Sequence, residues 1–335
     1  VNEEPAAARG DFDRASVRDA EVTGRVVLVR CDLNVPLDGG EVTDDMRIRA
    51  VRPTLDLLRE REARVIVTSH LGRPKDREPE FSLRPVAARL GELLGVEVPL
   101  APGLVGEEAA DIVAGLDAGG IGMLENSRFE PGETKNDPEL ARELAKLADL
   151  YVNEAFGASH RAHATTEGVA HELPAYAGLL LEREVRELTA VRDDPVRPLW
   201  VVLGGAKVTD KIGVLERFLT VADRLLIGGA MCFSFFRAQG IGTGDSLVEE
   251  EGVELAGEVL EKAKGGDCEL WLPSDLVIAD RFDAEAERRE TDGTAVPDGW
   301  MGLDIGPRTA AEYASGIAEA GTVFWNGPMG AFELE

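Results

Sequence analysis

Residues suited to chemistry concentrate in Leu203-Gly-Gly-Ala-Lys-Val-Thr-Asp-Lys211, which follows the apolar run Leu199–Leu203. The pattern predicts a buried strand, a turn through Gly204, Gly205 and Ala206, and then the first turn of a helix. Backbone N–H groups in such a turn can approach an anion, and a helix N-terminus adds partial positive charge. Lys207 and Lys211 are four apart and are expected on one helix face. The chain holds seven lysines, so two within five residues stand out. Neither G-x-x-x-x-G-K-[ST] nor G-x-G-x-x-G occurs, so the common nucleotide-loop fingerprints are absent and a nicotinamide-dependent dehydrogenase is disfavoured. Taken alone, the stretch could equally be an ordinary strand-to-helix turn with two solvated lysines.

A second set of residues follows the strands expected in the first half. Arg30-Cys-Asp-Leu-Asn-Val-Pro36 leaves the first strand with Asp32 and Asn34 at alternate positions, flanking Leu33. Both can face one side and hydrogen-bond hydroxyls, although an Asx-rich loop reads the same way. Ser69-His-Leu-Gly-Arg-Pro-Lys75 puts His70, Arg73 and Lys75 around the turn at Leu71 and Gly72. Arg128 comes after the third strand, Arg161 after the fourth, and Arg47 near the start of the first amphipathic helix. Guanidinium forks grip phosphate or carboxylate bidentately. Their convergence at four strand ends points to a small, highly anionic, hydroxylated ligand.

The elements that must position these residues are read from apolar periodicity. Strands are expected at Arg25–Arg30, Ala63–Ser69, Ile121–Glu125 and Leu150–Asn153. Helices are expected at Met46–Glu60, Ser82–Leu94, Glu107–Leu116 and Pro138–Leu147, with Ser82 as an N-cap and Pro138 in a first turn. A second series of strands covers Leu199–Leu203, Arg224–Ile227, Glu269–Leu272 and Thr322–Trp325. Helical stretches at Lys211–Val221, Met231–Gln239, Val253–Ala263 and Ala310–Ala320 separate them. Strand–helix alternation implies parallel sheets covered on both faces, an α/β architecture. Leu179–Val191, closed by Asp193-Asp-Pro195, reads as an interdomain helix and a hinge. Later glycine clusters, Trp300–Gly306 and Trp325–Glu333, could admit a nucleotide, with Glu333 accepting from ribose hydroxyls; ordinary turn chemistry explains either alone.

Composition narrows the classes. With 335 residues, 44% hydrophobic and 30% charged, the chain fits two globular domains. Its net charge of −27 repels nucleic acid and anionic membranes. This acidic, lysine-poor profile fits salt adaptation and compositional bias equally. No apolar run reaches the ~20 residues of a membrane span. Val1–Asp13 lacks a signal-peptide layout. Three widely spaced cysteines, without a C-x-x-C pair, suit a reducing compartment and no zinc site. A cytoplasmic location follows; no long exposed apolar stripe calls for a partner, so a monomer is expected.

Together, Arg30–Pro36, Asp44–Ala50, His70–Pro74, Leu124–Phe129, Asn153–His163, Gly204–Lys211, Trp300–Pro307 and Trp325–Glu333 closely resemble phosphoglycerate kinase, over nearly the whole chain and in the family's order. The resemblance implies two Rossmann-like domains with parallel sheets joined by an interdomain helix. Residues 1–177 would hold 3-phosphoglycerate, 178–195 would form the helix and hinge, and 196–335 would hold Mg-ATP or Mg-ADP. It also implies roles. Asp32, Leu33 and Asn34 would bind the substrate's hydroxyl region, and His70, Leu71, Gly72, Arg73, Arg128 and Arg161 its phosphate. Arg47 would orient the carboxylate and stabilise the phosphoryl group in flight. Gly204, Gly205, Ala206, Lys207 and Lys211 would contact nucleotide phosphates, with Lys211 catalytic beside Arg47. Gly302, Asn326 and Glu333 would line the nucleoside side. The implied reaction is reversible transfer between 1,3-bisphosphoglycerate/ADP and 3-phosphoglycerate/ATP, in glycolysis, gluconeogenesis or carbon fixation. The family continues with a Gly-Gly-Gly-Asp segment serving the metal–nucleotide complex and a later Gly-rich segment, neither present here. The resemblance therefore implies a C-terminally truncated sequence, with a 3-phosphoglycerate-binding module as the alternative to an active kinase. Asn153-Glu154 stands where the family pattern has Asn-Asp.

Overall fold

A computed structural model of the protein describes residues 12–334; most of the Val1–Asp13 stretch lies outside them. The chain divides into two compact units, one running to Leu188 and the other starting at Thr189.

The first unit contains, in order, β1 (Val26–Cys31), β2 (Leu37–Asp38), β3 (Glu41–Val42), α1 (Met46–Glu60), β4 (Arg64–Thr68), α2 (Arg84–Leu94), α3 (Glu107–Ala114) and β5 (Ile121–Met123). It continues with α4 (Pro138–Ala145), β6 (Leu150–Glu154), α5 (Val169–Glu172), β7 (Ala175–Ala177) and α6 (Leu179–Asp193), which carries the chain into the second unit. The main sheet has the order β5-β4-β1-β6-β7, every pairing parallel. Its central strand is buried throughout. Val27 and Val29 enter one core cluster while Val26 and Leu28 enter another, and β4 splits Val65 and Val67 from Ile66 in the same way. That period of two, apolar on both sides, is what a parallel sheet with two covered faces requires. All four site-bearing loops leave the same, C-terminal edge of this sheet, where ligands of open α/β sheets bind.

In the second unit the elements are β8 (Leu199–Leu203), α7 (Ile212–Val221), β9 (Arg224–Ile227), α8 (Cys232–Ala238), α9 (Glu250–Lys264) and β10 (Glu269–Trp271). After them come β11 (Leu276–Ala279), β12 (Arg288–Glu290), β13 (Met301–Ile305), α10 (Pro307–Ile317) and β14 (Thr322–Asn326). Strands β10-β9-β8-β14 form a parallel sheet. A second, antiparallel sheet, β12-β11-β13, was not anticipated by the alternation.

Most expected elements recur within one to three residues at each end, the usual uncertainty of helix and strand termini. Two local expectations need correction. Ser82 lies one residue before the N-cap position of α2, which is Leu83, yet its hydroxyl accepts from Arg84 N at 3.2 Å as a capping side chain does, while donating to Glu125 at 2.8 Å. Trp300–Gly306 is not a glycine loop after a strand, because residues Met301–Ile305 are themselves β13. There the ring of Phe233 fills the space a side chain at 302 would take: a Cβ on Gly302 would meet it at 2.1 Å.

Candidate active site

The first unit gathers cations at one sheet edge. Asp32 lies just past β1, and its carboxylate accepts from the Arg47 guanidinium at 2.6 Å. Asn34 Oδ1 accepts from Gly72 N at 2.8 Å, tying the loop after β1 to the loop after β4. Asn126 does the same for the third loop: its Oδ1 accepts from Leu71 N (3.2 Å) and Arg128 N (3.1 Å), and its amide donates to Leu71 O at 2.8 Å. Arg128 also donates to the Gly72 carbonyl. It is this lattice of side-chain-to-backbone bonds that fixes where the guanidinium stands. Leu33 and Leu71 turn their side chains into the core, so any contact they make with a ligand is through backbone. Arg161, half-buried on the loop after β6, donates to His160 Nε2 at 3.0 Å.

These groups act on one another electrostatically. Burial lowers the Arg128 pKa, and Arg161, Arg30 and Arg73 lower it further. His70 is nearly buried, and desolvation with Arg30 and Arg128 pushes its imidazole down to about 3. Of the residues assigned from sequence, Arg73, Arg128, Arg161 and His70 are thus brought together, with Arg47 held beside them through Asp32. In a chain of charge −27, a cluster of mutually repelling cations is stable only locally, and an anion relieves the repulsion.

Arg30 was not singled out from sequence as a site residue. It sits inside β1, essentially inaccessible, where an apolar strand pattern disguises it. Its Nη2 lies 3.1 Å from His70 Nδ1 and its Nε donates to Thr165 Oγ1 at 2.9 Å. Thr165 in turn donates to buried Glu133 at 2.6 Å, which also accepts from Ser127 at 3.2 Å. Because arginine only donates, His70 accepts at Nδ1 and carries its proton on Nε2. The one sequence signal was an arginine interrupting an otherwise apolar central strand, since a buried charge needs partners.

This arrangement has a measurable pH signature. Between about pH 6.5 and 3 the unfolded imidazole binds a proton that the folded one does not. Folding stability should therefore fall as pH drops through that window, with a slope from this group of up to about 1.4 kcal/mol per pH unit. In urea unfolding at pH 7 down to 4, His70→Gln is expected to lose stability more slowly than wild type. Parallel curves would show that His70 is not held neutral.

The second unit offers a cavity of about 530 Å³ lined by apolar groups such as Phe233, Leu247, Met329 and Phe332, together with Gly205, Ala206, Gly302, Asp304 and Glu333. Its Pro328 wall packs tightly on the end of β8: a Cβ on Gly204 would lie 1.9 Å from Pro328 O. Here two expectations fail. Gly204 N and Gly205 N are consumed by Asn326 O (2.9 Å) and Pro328 O (3.0 Å), so those amides do not cradle an anion. Lys207 and Lys211 do not share a helix face either. Glu249 takes Thr209 N at 3.0 Å and also its hydroxyl, holding Thr209–Lys211 in a tight 3₁₀ turn, and α7 starts only at Ile212. Lys211 instead reaches Asn326 Oδ1 at the end of β14, beside the cavity's Pro328–Met329 wall.

The family model described as phosphoglycerate kinase matches residues 17–335. The chain is 51% identical to a protein named phosphoglycerate kinase, cytosolic, of Triticum aestivum, covering 95% of this chain and 80% of that one. It is 54% identical to a phosphoglycerate kinase of Rubrobacter xylanophilus, covering 97% and 82%. Among solved structures, phosphoglycerate kinase from Coxiella burnetii superposes with a TM-score of 0.80 at 40% identity, over 96% of this chain and 82% of that chain. The enzyme from Pyrococcus horikoshii gives 0.83 at 30%, with the same coverage. The family match, the identities and the superposed α/β fold agree: the chain belongs to the phosphoglycerate kinase family.

Proposed function

We propose that this enzyme transfers a phosphoryl group reversibly between ATP and the carboxylate of 3-phosphoglycerate, giving ADP and 1,3-bisphosphoglycerate. The observation that carries the substrate assignment is the set of strand-end cations Arg73, Arg128, Arg161 and His70 gathered in a strongly acidic chain. A phosphate there meets two or more guanidinium forks. Asp32 and Asn34 face the hydroxyl region, and Arg47 leaves Asp32 to take the acceptor carboxylate. The comparisons support this kinase reading over that of a binding module.

In the second unit the apolar cavity suits a nucleobase, with Gly302 and Glu333 on the nucleoside side and Lys207 and Lys211 toward the phosphates. Among the described residues no group of three or more His, Cys, Asp or Glu is arranged to hold a metal. Magnesium would arrive with the nucleotide and would supply positive charge against its phosphates.

The acceptor carboxylate, with an ordinary pKa near 4, is ionised at neutral pH, so no general base is needed. A carboxylate oxygen attacks the γ-phosphorus, the bond to the bridging oxygen breaks, and ADP leaves with the electron pair. Arg47 and Lys211 neutralise charge on the group in flight. Water must be kept from the acyl phosphate while it forms, since hydrolysis would waste it. We read the enzyme as a cytoplasmic monomer. Support for the location comes from three buried free cysteines and from the cytosolic titles of the wheat and Arabidopsis thaliana relatives. No helix among the described residues is long and apolar enough to cross a membrane.

Calorimetric titration tests the substrate assignments. 3-Phosphoglycerate and Mg-ADP should each bind once per chain, and saturation with one should leave a site for the other. Absence of saturable 3-phosphoglycerate binding would overturn the reading.

A further inference from the structure

Glu154, the residue that departs from the family's Asn-Asp pattern, ends β6 and is 1% exposed. Its carboxylate accepts from Leu180 N at 3.0 Å, from Leu181 N at 3.2 Å and from the Thr54 hydroxyl. Thr54 Oγ1 in turn accepts from Leu179 N at 2.8 Å. The first three amides of α6, which have no partner within their own helix, are therefore held by a hydroxyl from α1 and a carboxylate from β6. The negative charge also suits a helix N-terminus. The fit is close: a Cβ on Gly178 would lie 1.9 Å from Glu154 Oε2.

Both halves of this clamp belong to elements that carry the basic site. Thr54 lies seven residues, about two turns, after Arg47 on α1 and so on the same side of that helix. Arg47 is bound to Asp32. Glu154 pairs in register with Cys31, the residue before Asp32. Three residues after Glu154, a Cβ on Gly157 would lie 3.2 Å from Asp32 Oδ2, and the same loop goes on to Arg161. Asp32 Oδ1 is buried without a hydrogen-bond partner, so this junction is incompletely satisfied. The held helix is the one through which the chain passes into the second unit.

We propose that Thr54 and Glu154 are positioning residues: they couple occupancy of the basic site to the first turn of α6. A ligand that draws Arg47 from Asp32 and engages Arg161 constrains α1 and the β6 loop together. The clamp between them then tightens on the Leu179–Leu181 amides. This inference rests on reading the basic site as the 3-phosphoglycerate site.

The test is amide hydrogen exchange on the full chain, with and without saturating 3-phosphoglycerate, alongside calorimetric Kd values. In wild type the ligand should slow exchange of the Leu179–Leu181 amides about tenfold or more. In Thr54→Val, which keeps shape but loses the hydroxyl, the ligand effect should shrink below about threefold while Kd changes less than about threefold. Thr54→Ser should restore the wild-type response. A wild-type chain that binds 3-phosphoglycerate with no change at those amides overturns the proposal, and that arm needs no variant to fold. A full response in Thr54→Val overturns it too. Failure to bind 3-phosphoglycerate would instead overturn the functional reading beneath it.

Discussion

Replacing Arg128 with methionine is expected to weaken 3-phosphoglycerate binding about a hundredfold or more without lowering thermal stability. Two charge-assisted bonds from one guanidinium, each contributing roughly 1.5–3 kcal/mol, account for a loss of that size. The stability half of the expectation comes from the neighbours. Burial, Arg161, Arg30 and Arg73 all disfavour a charge at this position, so an uncharged side chain of similar length relieves repulsion in the empty site. Against that stands the lost bond to the Gly72 carbonyl, about 1 kcal/mol for an ordinary hydrogen bond. Calorimetry and thermal melting decide the matter together. A Kd within threefold of wild type would remove Arg128 from the substrate site. A drop of many degrees in Tm would make it a structural residue.

The second large effect is expected at Lys211. Lys211→Met should lower kcat by about 10²–10³-fold while changing Mg-ADP affinity less than about tenfold, because an interaction realised mainly in the transition state appears in kcat rather than in binding. Its ammonium rests on Asn326 Oδ1 at the end of β14, close to the cavity but on a turn separate from a regular helix. A cation on a long, flexible stem resting on one neutral oxygen suits a group that must follow charge as it moves. Loss of nucleotide affinity with kcat unchanged would make Lys211 a ground-state binding residue instead.

Much of this was legible in the sequence because parallel strands buried on both faces are uninterrupted apolar runs. Leu199–Leu203 and Met46–Glu60 have the bounds that periodicity gives. Strand-end cations were legible for the same reason: once a strand ends, its next polar residues must lie at the sheet edge. What was not legible depends on partners distant in sequence. Arg30 is meaningful only through His70, 40 residues away, and Thr165, 135 away. The tight turn at Thr209–Lys211 depends on Glu249, and a helical spacing of lysines carries no trace of that. Short strands such as Arg288–Glu290, exposed throughout, lack the apolar alternation that reveals longer ones. Met301–Ile305 is hidden by Gly302, whose tolerance within a strand comes from the Phe233 ring that covers it.

The most direct measurement of the central claim is the initial rate of NADH oxidation coupled through glyceraldehyde-3-phosphate dehydrogenase, with ATP and 3-phosphoglycerate as substrates, at low and high salt. The rate is expected to saturate in both substrates, to vanish when either is omitted, and to fall with Lys211→Met in the proportion given above. A chain that binds 3-phosphoglycerate and Mg-ADP yet supports no ATP-dependent NADH oxidation at either salt concentration would contradict the assigned reaction.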